Sequence, residues 1–172
     1  MPKPVFIFDL RQHKKSTTNP LIIQQHFYEL KSKYPDYSAV YTDGSKDDDK
    51  VAAAALHDNE FATERLPSEA SIFTAEARAI LLALKMITIS PKSKFIICSD
   101  SLSCLQAIRN HRFKNTWIYK IIYFIHRLNS YGKEIVFLWV PSHIGIPGNT
   151  KVDSFAKEAL NDPLIDTVQI PY

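Results

Sequence analysis

The sequence predicts an α/β fold in which helices flank one mixed, five-stranded sheet. Strand and helix patterns follow one another in the order three strands, helix, strand, two helices, strand and helix. Short polar turns separate the first three strands, which is typical of antiparallel hairpins, whereas helices separate the later strands. Right-handed crossovers through those helices make the first, fourth and fifth strands parallel.

Each predicted strand is a run of apolar or alternating residues bounded by turn residues. Gly44 follows the first strand, the polar segment from His57 to Glu60 separates the second from the third, and Pro141 follows the last. The strands are predicted at Ser38–Thr42, Val51–Leu56, Phe61–Leu66, Phe95–Cys98 and Glu134–Val140.

The helices are predicted from apolar residues recurring every three or four positions and from the signals at their ends. The longest has apolar residues on one face and ends before Pro91, and Ser101 is the expected cap of the helix after the fourth strand. The helices are predicted at Leu21–Tyr34, Ile72–Ile89, Leu102–Arg109, Thr116–Leu128 and Lys151–Leu160.

The chain divides into three predicted parts. Residues 1–37 form a linker and a helix, residues 38–160 form the compact domain, and residues 161–172 form a tail. Met1–Pro20 has three prolines and no periodicity, so we expect an arm that takes no part in the core.

Composition and charge restrict the function classes. Apolar residues make up 45% of the chain and charged residues 23%, as in an ordinary globular domain. The net charge of +3 is compatible with a polyanionic partner. Apolar runs are at most six residues long, too short to span a membrane, and Met1–Leu10 has no apolar core of a secretory signal. Cys98 and Cys104 lack metal-ligand spacing, which favours reduced thiols in an intracellular protein of the cytoplasm or nucleus.

Four carboxylates are predicted to meet at one edge of the sheet. Asp43 and Asp100 each follow a strand, and these two strands are expected to be parallel neighbours. Glu76 lies one turn into the long helix, and Asp153 lies at the start of the last helix. Carboxylates this close repel one another, and their pKa values rise unless cations neutralise them. Oxygen ligands suit Mg²⁺ or Mn²⁺, and two such ions about 3.5–4 Å apart are a recurring device for attack on a phosphodiester.

Each of these acids also has an ordinary structural explanation. Glu76 and Asp153 are favoured near helix N-termini by the helix dipole, and Asp43 and Asp100 are common kinds of strand-end turn residue. The metal-site hypothesis therefore depends on the predicted topology.

Four segments, in order, resemble the motifs of the ribonuclease H domain. They are YTDGS at Tyr41–Ser45, FTAEARAILLAL at Phe73–Leu84, SDS at Ser99–Ser101 and WVPSHIGIPGNTKVDSFAKEA at Trp139–Ala159. The resemblance covers about residues 38–160 and is closest to the domain that follows the reverse transcriptase in non-LTR retrotransposon polyproteins. It implies hydrolysis of the RNA strand of an RNA–DNA hybrid with two Mg²⁺ ions, for which Mn²⁺ can substitute. It also implies that Asp43, Glu76, Asp100 and Asp153 are metal ligands.

The resemblance makes His143 the histidine of a mobile loop that assists proton transfer or product release. The residues agree, because His143 lies in a Pro- and Gly-containing loop before Asp153 and its ordinary pKa suits proton transfer near neutrality. The chain departs from many ribonucleases H in having Ile72, Phe73 and Leu102 where polar residues read the minor groove of the hybrid.

Substrate contacts are expected from residues beside the acids and from a cationic stretch. Arg109–Lys133 has six Lys or Arg and no Asp or Glu, with aromatic residues interleaved. Tyr123 and Phe124 are expected in the helix core. Ser71 is a phosphate contact by resemblance only. The expected nucleic-acid contacts are Gly44, Ser45, Ser71, Arg109, Arg112, Lys114 and Trp117.

The functional prediction is a hybrid-specific endoribonuclease that serves reverse transcription of a retroelement, with an attached or associated reverse transcriptase as partner. Two alternatives stay open at this point. One is a non-enzymatic nucleic-acid-binding or scaffold domain of a reverse transcriptase, and the other is a related nuclease of the same fold that acts on DNA.

Overall fold

A computed structural model describes residues 3–164 and shows one mixed sheet with helices on both faces. Its six strands lie in the order β1-β6-β5-β2-β3-β4. A short 3-10 helix, Asp9–Gln12, follows β1. The strands are β1 Val5–Ile7, β2 Ser38–Asp47, β3 Lys50–His57, β4 Glu60–Leu66, β5 Lys94–Ser99 and β6 Glu134–Trp139, and the helices are α1 Pro20–Ser32, α2 Ile72–Ile89, α3 Leu102–Arg109, α4 Thr116–Ser130 and α5 Pro147–Ala159.

The predicted α/β class and strand directions are confirmed. Strands β2, β3 and β4 pair antiparallel as two hairpins, and β2, β5 and β6 pair parallel. Helices α2, α3 and α4 pack against one face of the sheet. The opposite face is covered by α1 over β5 and β6, and by α5 over β3. No helix within residues 3–164 is long and apolar enough to cross a membrane.

The N-terminal segment corrects two predictions, the five-strand count and the arm that takes no part in the core. Strand β1 adds a sixth strand by pairing parallel with β6. Phe6 stacks on Phe137 of β6 with 5.0 Å between ring centroids, and Leu10 is fully buried among residues of β6 and α1. A strand of three residues is too short to show alternation, so only the tertiary pairing identifies it.

Several element ends also differ from the prediction. Strand β2 continues to Asp47 along its hairpin partner, so Asp43 lies within the strand and not beyond its end. Helix α5 begins at Pro147, because proline fits the first position of a helix, and Asp153 is therefore its seventh residue. The predicted tail begins outside α5, and its residues 165–172 lie outside the described part of the chain.

Close contact between α5 and β2 brings the last helix over the sheet. Gly148, in the first turn of α5, lies against the ring of Tyr41. A Cβ atom at this position would lie 2.2 Å from Tyr41 Cε2, so any larger residue would push the helix away from the strand. The glycine therefore allows Asn149 and Asp153 to approach the end of the β2–β5 pairing.

Candidate active site

Asp43 lies where the parallel part of the sheet opens. The β2–β5 pairing ends at Thr42 and Ser99, and beyond that point Asp43 pairs only with Ala54 of β3. The strand continues, but its side toward β5 is free to receive side chains from other elements. Asp43 is only 4% exposed, so its carboxyl group lies largely away from water.

Asp100 follows β5 directly and faces the same opening. The backbone carbonyl of Asp100 accepts a hydrogen bond from Trp139 Nε1 at 3.2 Å, and the backbone N–H of Ser101 donates to Ser99 Oγ at 3.1 Å. Ser101 then caps α3 as predicted, accepting from the N–H of Cys104. These bonds fix the turn that orients Asp100.

Gly44 brings α2 and its Glu76 onto β2. A Cβ atom on Gly44 would lie 2.7 Å from the backbone nitrogen of Glu76 and 2.8 Å from the carbonyl carbon of Ala75. The backbone N–H of Gly44 hydrogen-bonds to the Glu76 carboxylate. Ser71 accepts from Thr74 N at 3.1 Å and so begins the helix at a fixed place. The glycine that the sequence places after Asp43 is thus required by a close helix contact.

Three of the four predicted ligands form one cluster. Asp43, Glu76 and Asp100 each offer an oxygen, and these atoms all lie within 4.8 Å of one another. Asp153 lies beside this cluster, hydrogen-bonded to Asp43 and paired with Lys157 Nζ at 2.9 Å. The topology therefore brings all four predicted acids to one edge of the sheet, with Asp153 on its more exposed side.

The raised pKa values in the cluster indicate that a positive charge would stabilise its ionised carboxylates. Burial, and then the neighbouring carboxylates, raise the pKa of Asp43 far above its ordinary value, and burial raises the pKa of Glu76 to about 8. Burial also raises the pKa of Asp100. For Asp153, burial opposes ionisation, but hydrogen bonds from Asp43 and Lys157 outweigh it and lower the pKa.

The residues fit a hard divalent cation. Glu76 Oε2 is buried and has no hydrogen-bond partner among the described residues, although a buried carboxylate oxygen without a partner is costly. The ligand atoms that the cluster of Asp43, Glu76 and Asp100 offers are carboxylate oxygens, the type of ligand that Mg²⁺ and Mn²⁺ prefer. An ion bound there would satisfy Glu76 Oε2 and reverse the upward pKa shifts.

His143 lies in an exposed position of the loop between β6 and α5. Its backbone φ of +59° is in the left-handed region. A positive charge on His143 lowers the pKa of Asp100 and of Asp153, so its ring is within electrostatic reach of both carboxylates. The flanking Pro141 and Ile144 are buried, which fixes the loop to the protein on both sides of the exposed histidine.

The predicted nucleic-acid contacts differ in how available they are. Ser45 is half-buried on β2, Ser71 is exposed at its capping position, and the side chains of Arg112 and Lys114 are exposed. Arg109 is exposed, but its guanidinium lies 4.9 Å from the centre of the Phe8 ring.

Two aromatic residues lie elsewhere than the sequence predicts. Trp117 is only 2% exposed, and its ring carries the Arg78 guanidinium at 4.9 Å and the Lys120 ammonium at 5.0 Å. This burial argues against the expected contact of Trp117 with nucleic acid. Tyr123 is 57% exposed and lies outside the core, whereas Phe124 is partly buried against the core.

Two residues at the site were not predicted to have roles there. Asn149 is buried, and its amide lies close enough to Asp100 to lower the pKa of that carboxyl, although Nδ2 makes no well-formed hydrogen bond within the described part of the chain. Lys157 pairs with Asp153 one helical turn away. The i, i+4 spacing of Asp153 and Lys157 was readable in the sequence, whereas the position of Asn149 depends on the early start of α5.

Comparisons with known proteins agree with this architecture. The sequence profile of the RNase H family matches residues 35–161. Among solved structures, the crystal structure of RNase H1 from the halophilic archaeon Halobacterium salinarum NRC-1 is similar, with a TM-score of 0.59 and 17% sequence identity. That similarity covers 74% of this chain and 99% of the archaeal chain and shows a shared fold. Since the family match spans well over half of the sequence, the chain belongs to the RNase H family.

Proposed function

We propose that this protein is an endoribonuclease that hydrolyses the RNA strand of RNA–DNA hybrids with two bound Mg²⁺ ions, for which Mn²⁺ can substitute. The observation that carries the proposal is the cluster of the buried Asp43 and Glu76 and the half-buried Asp100 at the open edge of an RNase H sheet, where Glu76 Oε2 has no hydrogen-bond partner among residues 3–164. Such a group is costly to bury unless cations complete it.

Asp43, Glu76, Asp100 and Asp153 are the residues that would hold the cations. Asp43 is central, because its carboxyl group lies close enough to those of Glu76, Asp100 and Asp153 to interact with all three. Bound divalent cations supply charge stabilisation for attack of water on a phosphodiester. The ion pair with Lys157 orients Asp153, the nearby amide of Asn149 favours the ionised form of Asp100, and His143 exchanges a proton at the exposed side of the site.

The hybrid is held by its phosphates on a cationic surface. Arg112 and Lys114 lie in the exposed segment between α3 and α4, and Arg109 ends α3 beside them. No Asp or Glu occurs from residue 109 to residue 133, so nothing within this stretch opposes a polyanion. Gly44, Ser45 and Ser71 are proposed as contacts nearer the carboxylates, with the backbone at Gly44 and the hydroxyl groups as the polar atoms.

The biological setting is proposed from the motifs quoted above. Their resemblance to the domain that follows the reverse transcriptase in non-LTR retrotransposons supports removal of RNA from the hybrid made during reverse transcription. An attached or associated reverse transcriptase is the corresponding partner, and the cytoplasm or nucleus is the corresponding compartment.

Cleavage of defined substrates tests the proposal. Labelled RNA–DNA hybrid, double-stranded DNA and single-stranded RNA are incubated with the protein and Mg²⁺, Mn²⁺ or a chelator, and the products are resolved on a denaturing gel. We expect metal-dependent cleavage of the hybrid alone. Asp43→Asn should abolish cleavage with an unchanged circular dichroism spectrum, while Asp47→Asn, at an exposed acid of the same strand, should cleave like the parent. Hybrid binding without cleavage would favour a scaffold domain, and cleavage of DNA would favour a DNA-acting nuclease.

A further inference from the structure

We propose that the segment before the family-matching region, and Gln24 in particular, positions the loop that carries His143. This inference rests on the proposed function, because it assigns a task to a residue that acts through His143. The family match begins at residue 35, whereas α1 ends at Ser32. The segment is therefore an addition to the matched domain, and its contacts with the loop are made from outside that domain.

A direct hydrogen bond joins α1 to the histidine loop. Gln24 Nε2 donates to the backbone carbonyl of Ile144, the residue after His143, at 2.6 Å. Gly145 has a φ of +84°, and a Cβ atom there would lie 2.6 Å from Gln24 Nε2. The glycine thus leaves the space that the amide occupies. On the other side of His143, Lys15 Nζ lies 3.4 Å from Ser142 Oγ.

Apolar packing fixes the same loop to the same segment. Ile144 and Ile146 are both buried and belong to one apolar cluster. The cluster also contains five residues of the N-terminal segment, Ile7, Leu10, Ile23, Phe27 and Leu30. The loop is consequently held through its backbone by Gln24 and through its side chains by α1 and the 3-10 helix.

These contacts restrain the left-handed backbone conformation of His143. A non-glycine residue in the left-handed region is uncommon and persists only where the surroundings fix it. His143 has a φ of +59° and an exposed side chain, so its own side chain contributes little to holding the backbone. The buried neighbours and the Gln24 bond supply that restraint and keep the ring within electrostatic reach of Asp100 and Asp153.

An isosteric substitution tests the bond. Glutamate at position 24 has nearly the shape of glutamine but at neutral pH cannot donate to the Ile144 carbonyl. We expect Gln24→Glu to lower kcat by about two- to tenfold, the range expected for loss of one hydrogen bond, with KM for the hybrid unchanged. Gln25→Glu is the matched control, since Gln25 is the exposed neighbour on the same helix and should retain the parent kcat.

A double-mutant comparison shows whether Gln24 acts through His143. If it does, Gln24→Glu should lower kcat no further once His143 has been replaced by alanine. Full additivity of the two losses, or a parent-like kcat in Gln24→Glu, would overturn the assignment. Gln24→Met provides a second variant that cannot donate and adds no charge, for use if Gln24→Glu fails to fold.

A second readout does not depend on activity. Hydrogen exchange of the backbone segment 141–149, followed by mass spectrometry, should accelerate in Gln24→Glu and not in Gln25→Glu. Unchanged exchange would show that Gln24 does not hold the loop, even if the hybrid is cleaved normally. Accelerated exchange in a protein that never cleaves hybrid would keep the positioning role and reject the proposed function.

Discussion

Replacing Gly44 by alanine should damage the site and the fold together. The new Cβ atom would lie 2.7–2.9 Å from three atoms of Ala75 and Glu76, two of them backbone atoms. Ordinary contacts begin near 3.4 Å, so α2 must move away from β2 by several tenths of an ångström. Overpacking of this kind costs about 1–3 kcal/mol of unfolding free energy, and each kcal/mol lowers Tm by about 2–4 °C in a chain of this size.

The same displacement should lower activity by more than the loss of stability explains. Glu76 is carried on the displaced turn, and a misplacement of about 1 Å can cost on the order of a hundredfold in rate. We expect kcat on RNA–DNA hybrid to fall by up to that factor at a temperature where the variant stays folded.

Gly132→Ala is the control for this experiment. Gly132 has a φ of +80° but open space around its Cβ position. The variant should therefore lose about 1 kcal/mol of stability and retain the parent activity. Both variants are compared by thermal unfolding and by initial rates with Mg²⁺. A Gly44→Ala protein with the parent kcat would refute the claim that this contact sets the position of Glu76.

Three further predictions concern charge. The pKa of Glu76 is raised from 4.5 to about 8 in the folded state, so the unfolding free energy of the metal-free protein should fall as the pH rises from about 5 to 8. Added Mg²⁺ should restore the lost unfolding free energy. Denaturant titrations that show no such pH dependence would contradict the pKa shift. His143→Ala should lower kcat by about 100-fold or more without abolishing turnover, while calorimetry finds unchanged Mg²⁺ affinity, since the histidine is not a proposed ligand. Replacing Arg109, Arg112 and Lys114 together by alanine should weaken hybrid binding and flatten the salt dependence of log K by roughly 0.7–0.9 for each phosphate that the variant no longer neutralises; superimposable slopes would mean that these side chains do not face the hybrid.

Local signals predicted most of the fold because they act within one element. The limits of α2 and α3 match the prediction, since Ser71 and Ser101 cap their first turns and a proline follows α2 closely. Strand β1 was missed because three residues contain no period, and its position depends on pairing with β6. The N-terminal segment shows that a proline-rich composition does not by itself place residues outside the core.

The candidate site was predictable in its chemistry and less so in its details. Strand directions alone place Asp43 and Asp100 at one opening, and this topology could be read from the order of the elements. The burial of Trp117 and the exposure of Tyr123 could not be read from the sequence, because both residues lie in one helix, α4, whose orientation is set by packing against α2. The position of Asn149 at the site could not be predicted either, because the helix that carries it starts four residues before the predicted limit.

Strand β1 also covers the edge of β6 that would otherwise be open to pairing with a second chain. The sequence of β6 is EIVFLW, and without β1 its outer hydrogen-bonding groups would be unpaired along a short, strongly apolar strand. Such an edge is a template for pairing with a second chain and for aggregation. The opposite edge of the sheet is β4, which carries Glu60, Glu64 and Arg65 and is thereby discouraged from pairing. A shortened chain that begins at residue 38 would retain every proposed catalytic acid, yet it should precipitate, whereas one that begins at Lys3 should remain dispersed.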